Sequence, residues 1–301
     1  MHRALAAWLI ARPSRAAFAC ALCSALAALL ALPLVVAASA IPVLVLLHHG
    51  LGPAFGIALA GAVAATLVWL SSALPSMWMA VLLLLSCCVL FGSLALAAVL
   101  RRTGSMNFCV QLAVLAACGI VMLTHAAVSD PAALWRSLVQ PIVASMVQLG
   151  LYPQNEAQLL LQLTQAMTGM LAAMALVFVL GGLFLGRWWD SLLCAPGRFG
   201  REYRGLRLGV VLGTALAIVF VLLFLTESLL IDSLAWVGLV ALVLQGLAAA
   251  HRSKANGSLN KRWLVAIYVA LIVPLWHWIM IGVLAVWGFI DNWRRPKAQD
   301  A

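Results

Sequence analysis

Five arginines, Arg187, Arg198, Arg201, Arg204 and Arg207, fall in the stretch GRWWDSLLCAPGRFGREYRGLRLG from Gly186 to Gly209. Guanidinium groups hold phosphate and carboxylate through paired N–H donors. Pro196, Gly197 and Gly200 mark a turn whose backbone N–H groups could assist them. Arg201, Arg204 and Arg207 recur every third residue, so on a helix they share one side, with Glu202 near enough to pair with a neighbour. Three readings are open: contact with anionic headgroups, docking of a membrane or cytoplasmic protein partner, or a cradle for a phosphorylated ligand.

The second constellation is a stripe of glutamines. Gln158, Gln162 and Gln165 share a helix face and continue into Gly169 and Ala173, by i, i+4 and i+3 spacing. A polar stripe entering a membrane over small residues suits the lining of a ligand cavity. Such glutamines also serve as hydrogen bonds to a neighbouring helix. His277, between Trp276 and Trp278, is the one ionisable group well inside an apolar stretch. An intramembrane ionisable residue points to function, whereas a break at Pro274 would put it at a turn.

Catalytic sets are missing. The sequence has no GxSxG, Walker loop, HExxH or paired intramembrane carboxylates, so no enzyme activity and no cofactor are expected. Of seven cysteines all but Cys194 lie in apolar segments. Cys20 with Cys23, and Cys87 with Cys88, lack the further ligands of a zinc site and read as small packing residues. His48 and His49 point in different directions on a helix and read as an interfacial pair. No metal site is expected.

The elements that carry these residues are set by composition. With 66% hydrophobic and 9% charged residues among 301, a water-soluble core under a charged surface is excluded. Segments of 18 to 20 apolar residues match the length needed to cross a bilayer, at about 1.5 Å per residue. The chain is therefore expected to be all-α, a polytopic transmembrane bundle of about eight or nine membrane segments in a single integral domain, 1–301. The formal charge of +10 lies in short clusters beside the spans, the pattern of positive-inside topology rather than of nucleic-acid binding.

In chain order, Arg3, Arg12 and Arg15 with Trp8 form a basic amphipathic lead-in that is retained rather than cleaved. The apolar run from Ala16 to Leu47 is too long for one span, and Pro33 divides it into segments 16–32 and 34–48. Small residues at Ala17, Ala21, Ala25 and at Cys20, Ser24, Ala28 offer close approach, as do Gly52, Gly56 and Ala60 in the next span. Residues 131–150 place Trp135, Leu138, Ile142, Met146 and Leu149 on one stripe, an amphipathic helix in the outer interface. Tyr152-Pro153 breaks it, and Asn155 starts a helix over 156–186. Residues 187–207 form an Arg-rich cytoplasmic hairpin. The last apolar stretch, Trp263 to Phe289, is either one span or a Pro274-broken hairpin, which would keep Arg294, Arg295 and Lys297 inside. The expected location is the bacterial inner membrane, multi-pass, N-terminus cytoplasmic.

Several segments resemble the YybS-like family of bacterial inner-membrane proteins, a domain of unknown function. They are GRWW at 186 to 189, PGRFGREYRGLRLG at 196 to 209, Gly246-Leu247 with His251 before a basic loop, and Gly288-Phe289-Ile290-Asp291 with Arg294. Ala195 and Arg198 stand where the family pattern has asparagine and a second glycine. The resemblance implies distant kinship to the substrate-binding S subunits of energy-coupling-factor transporters, hence a small-molecule binding or transport subunit without its own energy source. The alternative is a non-catalytic scaffold or assembly factor docking a partner through the arginine hairpin.

Overall fold

The computed structural model describes residues 2–29, 33–71, 76–150 and 156–294, which contain thirteen helices and no strand. The expected Tyr152-Pro153 break, the helix start at Asn155, and Arg295 and Lys297 lie outside these residues. Six helices are long and apolar enough to cross a membrane, and eight spans result if each of two bent pairs counts as one.

The first bent pair is α1 (His2–Ala11) and α2 (Pro13–Leu29), which meet at 117°. Arg15 sits over the Trp8 ring at 5.6 Å, so the lead-in is pinned where it turns into the span. After Pro33 comes α3 (Leu34–His49), in which every residue from Ala38 to Leu46 is buried. A helix apolar all round belongs inside a bundle, and α3 is walled by α2, α4, α5 and α8. Pro42 within it cannot donate to the Ala38 carbonyl. The Cys20 thiol of α2 donates to that carbonyl instead, at 3.4 Å.

Next are α4 (Leu51–Ser71), α5 (Ser76–Thr103) and α6 (Met106–Ala127). The small-residue faces are partly corrected here. Cys20 and Ser24 of α2 do meet α4, but at Gly61, where a side chain would strike both. Gly52 and Gly56 have open space around them and face outward, because the buried row of α4 is Ala54, Ile57, Ala58, Gly61 and Ala65.

Helix α7 (Pro131–Gln148) is capped by Asp130, whose side chain accepts from Ala133 N. It runs antiparallel to the first turns of α8 (Glu156–Cys194), where Trp135 Nε1 donates to Thr168 Oγ1 at 2.8 Å and Val139 and Val143 cluster with Leu159. Burial selects Leu138, Val139 and Val143, leaving Ile142 and Leu149 of the expected stripe exposed. With 39 residues, α8 is about 58 Å long and is the spine against which α3, α5, α6, α7 and α11 pack.

The short α9 (Arg198–Arg204) leads into α10 (Gly209–Leu225), then α11 (Leu229–Ala255), α12 (Lys261–Ile272) and α13 (Pro274–Trp293). The final stretch takes the hairpin form. Val273 is extended and Pro274 opens α13. Trp236 meets Trp278 at one level, Gly246 meets Gly288 at the next, and Arg252 meets Asp291 at the last, so α13 runs parallel to α11. Cβ atoms at Gly246 or Gly288 would strike the backbone of the opposite helix, and their absence sets this close crossing. The start of α1, the end of α13 and, among the described residues, every arginine except Arg136 therefore gather at one end of the bundle, the basic end.

Candidate functional site

The arginine stretch is built rather than loose. Arg187, on the last turns of α8, is 5% exposed. It donates Nη1 to Asp190 Oδ2 at 2.6 Å, and Nε and Nη2 to Glu202 Oε2 and Oε1 at 2.9 and 2.7 Å. Glu202 also accepts from Arg198 Nε at 2.9 Å. Burial pushes the Glu202 carboxyl up, but the bonds and charges of Arg187 and Arg198 outweigh it and leave it below the ordinary value of 4.5. Asp190 Oδ1 faces His48 Nε2 at 3.1 Å. A two-carboxylate clamp around a buried guanidinium compensates its desolvation, and it fastens α9 to the end of α8.

Behind α9 the backbone from Gly205 to Leu208 is irregular, yet Leu206 and Leu208 are buried. Buried backbone polar groups need partners, and three helices supply them. Arg252 donates to the carbonyls of Arg204 and Leu206 at 2.7 and 3.3 Å and pairs with Asp291 at 2.9 Å. Gln245 Oε1 accepts from Leu208 N at 2.9 Å, Asn292 exchanges two bonds with Gly209, and Gln111 donates to Leu208 O. Asn107 Oδ1 accepts from Arg207 N at 3.1 Å. Gln245, fully buried, and Asn107, Gln111 and Asn292 were not singled out from sequence. A polar side chain inside an apolar span was the available signal.

The expected anion-docking residues thus divide. Arg187 is consumed by the clamp, and Arg207 donates to the Arg294 carbonyl at 2.7 Å. Pro196 lies in the turn after α8, and Gly197, at φ +85°, adopts the left-handed conformation that starts α9. The Arg201 and Arg204 heads fold back towards the open faces of Gly197 and Gly200. Among the described residues neither head has a carboxylate within 4.0 Å.

The cavity lies elsewhere. A groove of about 560 Å³ runs between α5, α6 and α8, from Val81 to Val99 and from Leu112 to Thr124, closed at one end by Trp135 and Thr168. Its walls are almost wholly apolar. Gln158 and Gln162 are exposed on the far end of α8, Gln165 is half-buried, and none of the three lines the groove. His277 sits at the α12–α13 turn, its Nδ1 2.6 Å from the Leu271 carbonyl. That places the ring where the break at Pro274 leaves carbonyls without helical donors.

At the basic end of the groove, Arg102 follows Val99 by three residues and so continues the lining face of α5. Arg101, about 100° round the helix, donates to the Leu46 carbonyl at 2.8 Å. Among the described residues Arg102 has no carboxylate within ion-pair distance, and it is exposed.

No family model matches this chain, and neither a curated protein nor a solved structure matches it.

Proposed function

We propose that this protein is a non-catalytic membrane subunit that binds an anionic amphiphile, with the hydrocarbon chain in the α5–α6–α8 groove and the headgroup at Arg102. The observation that carries this reading is the apolar groove of about 560 Å³ whose lining face runs on to an arginine with no ion-pair partner among the described residues. The volume falls within the roughly 300–1,000 Å³ of small-molecule sites. Val81 to Val99 spans about 27 Å of helix, close to the roughly 30 Å of a hydrocarbon layer. A water-soluble ligand finds almost no polar group there. This narrows the small-molecule binding or transport reading, and it moves the ligand from the glutamine stripe to a lipid-facing site. The basic end is assigned to the cytoplasm of a bacterial inner membrane by the positive-inside pattern, with the start of α1 and the end of α13 there.

The test is native mass spectrometry of the purified protein in mild detergent. The wild type should retain about one anionic lipid per chain. Ala95→Phe with Ala116→Phe, which fill the groove, should abolish retention, and Arg102→Glu should lower it about tenfold, as for loss of one charge-assisted contact. Leu123→Phe, on an exposed face outside the groove, should change nothing. Equal retention in all four proteins would sink the reading.

A second reading, docking of an acidic partner, is favoured by one observation: Arg201 and Arg204 present heads with no ion-pair partner among the described residues, on a helix that is otherwise clamped in place. Replacing both by glutamine should remove a co-purifying partner while leaving lipid retention unaltered.

A further inference from the structure

His48, Asp190 and Cys194 each offer one ligand atom, and these atoms lie within 4.8 Å of one another. His48 Nε2 is 3.1 Å from Asp190 Oδ1 and 3.9 Å from Cys194 Sγ. Ligands at about 2.0–2.3 Å from a tetrahedral zinc stand about 3.3–3.7 Å apart, so the two His48 separations need adjust by only a few tenths of an ångström, while Asp190 and Cys194, within 4.8 Å of each other, close by up to about 1 Å through rotation of the exposed Cys194 side chain. The donor types are the borderline imidazole, carboxylate and thiolate that zinc and its neighbours in the first transition row take. We propose that these three residues form a divalent transition-metal site, of zinc type, at the basic end of the bundle.

Three features outside the triad support the assignment. The site sits where two helices end, α3 at His49 and α8 at Cys194, and the free carbonyls at helix C-termini favour a cation. Asp190 binds Arg187 through Oδ2, which leaves Oδ1 directed at His48. Such an outer contact orients a ligating carboxylate. Neutral imidazole, carboxylate and thiolate together carry two negative charges, so a divalent ion neutralises the set while Glu202 keeps Arg187 compensated. Binding sends the Cys194 thiol proton to solvent. Cys194 is exposed, so the fourth position opens to water.

The site ties α3 to α8 across a sequence separation of 146 residues between His48 and Cys194. Its metal would therefore act as a cross-link between the buried central helix and the spine. Cys194 is also the one cysteine outside the apolar segments. Periodicity gave no hint of the triad, because His48 belongs to a different helix.

The experiment uses the full-length protein in detergent, stripped with chelator and titrated with Co²⁺, then with Zn²⁺ in competition. Expected are one ion per chain, a thiolate-to-cobalt absorption band in the near ultraviolet, and bleaching of that band by Zn²⁺. Cys194→Ser, at an exposed position, should lose the band and bind at least about tenfold more weakly. His48→Ala should do the same. Absence of stoichiometric binding, or a band that persists in Cys194→Ser, would overturn the assignment. Asp190→Asn also disturbs the Arg187 clamp, so its melting temperature is measured beside its affinity, and retained cobalt affinity in a folded Asp190→Asn protein would remove Asp190 from the site.

Discussion

Arg187 is the residue on which the basic end depends, since its buried charge is held by Asp190 and Glu202. Glu202→Gln removes one carboxylate and leaves that charge undercompensated, which costs about 3–5 kcal/mol where such a pair is broken from one side. The expected outcome is a clear fall in melting temperature in detergent, whereas Arg201→Gln, at a head with no ion-pair partner among the described residues, should melt like the wild type. Acid should act through the same clamp. The folded Glu202 carboxyl lies below its ordinary 4.5, so its stabilisation is complete above about that pH and is lost as pH falls through the folded value. A melting temperature that drops below about pH 4.5 is expected, with that drop reduced in Glu202→Gln. The sequence shows the arginines and Glu202 as one block. It does not show which arginines stay free, because that depends on Asp190 one helical turn away and on Gln245, Asn292 and Arg252, which reach the block only through the fold.

Among the elements, the α11–α13 crossing is the tightest constraint. A Cβ at Gly288 would strike the Leu242 carbonyl, and one at Gly246 the Leu284 carbonyl. Gly288→Val should therefore destabilise by about 1–3 kcal/mol or more, as overpacking does, measured by thermal unfolding in detergent. Gly56→Val, in open space, should not. Prolines were the legible punctuation: Pro33 separates α2 from α3, and Pro274 opens α13. The direction of α13 was not legible, since an apolar run of its length fits one span as well as a hairpin, and only the parallel pairing with α11 decides. Single cysteines replacing Ser253 and Arg294, in a protein otherwise free of cysteine, should label from the same side of the membrane. Labelling from opposite sides would break the hairpin topology. Which small residues pack was only half legible, because a row such as Gly52 and Gly56 looks the same whether it faces a helix or lipid.

For the whole molecule, the bundle is polarised: one end carries nearly all the paired and unpaired arginines, and the other carries α7 and the exposed glutamines of α8. Helical class and membrane character followed from composition alone, whereas the groove did not. Its walls come from three helices whose apolar residues are indistinguishable in sequence from those that touch lipid everywhere else. The most direct test of the proposed function is to photo-cross-link an anionic lipid, with the reactive group on its acyl chain, to the protein in intact membranes and to map the modified peptides. The account predicts modification concentrated on the groove faces of α5, α6 and α8, lost on competition with unlabelled anionic lipid. Modification spread evenly over outward-facing residues such as Leu67, Val211 and Phe224, and indifferent to competition, would contradict it.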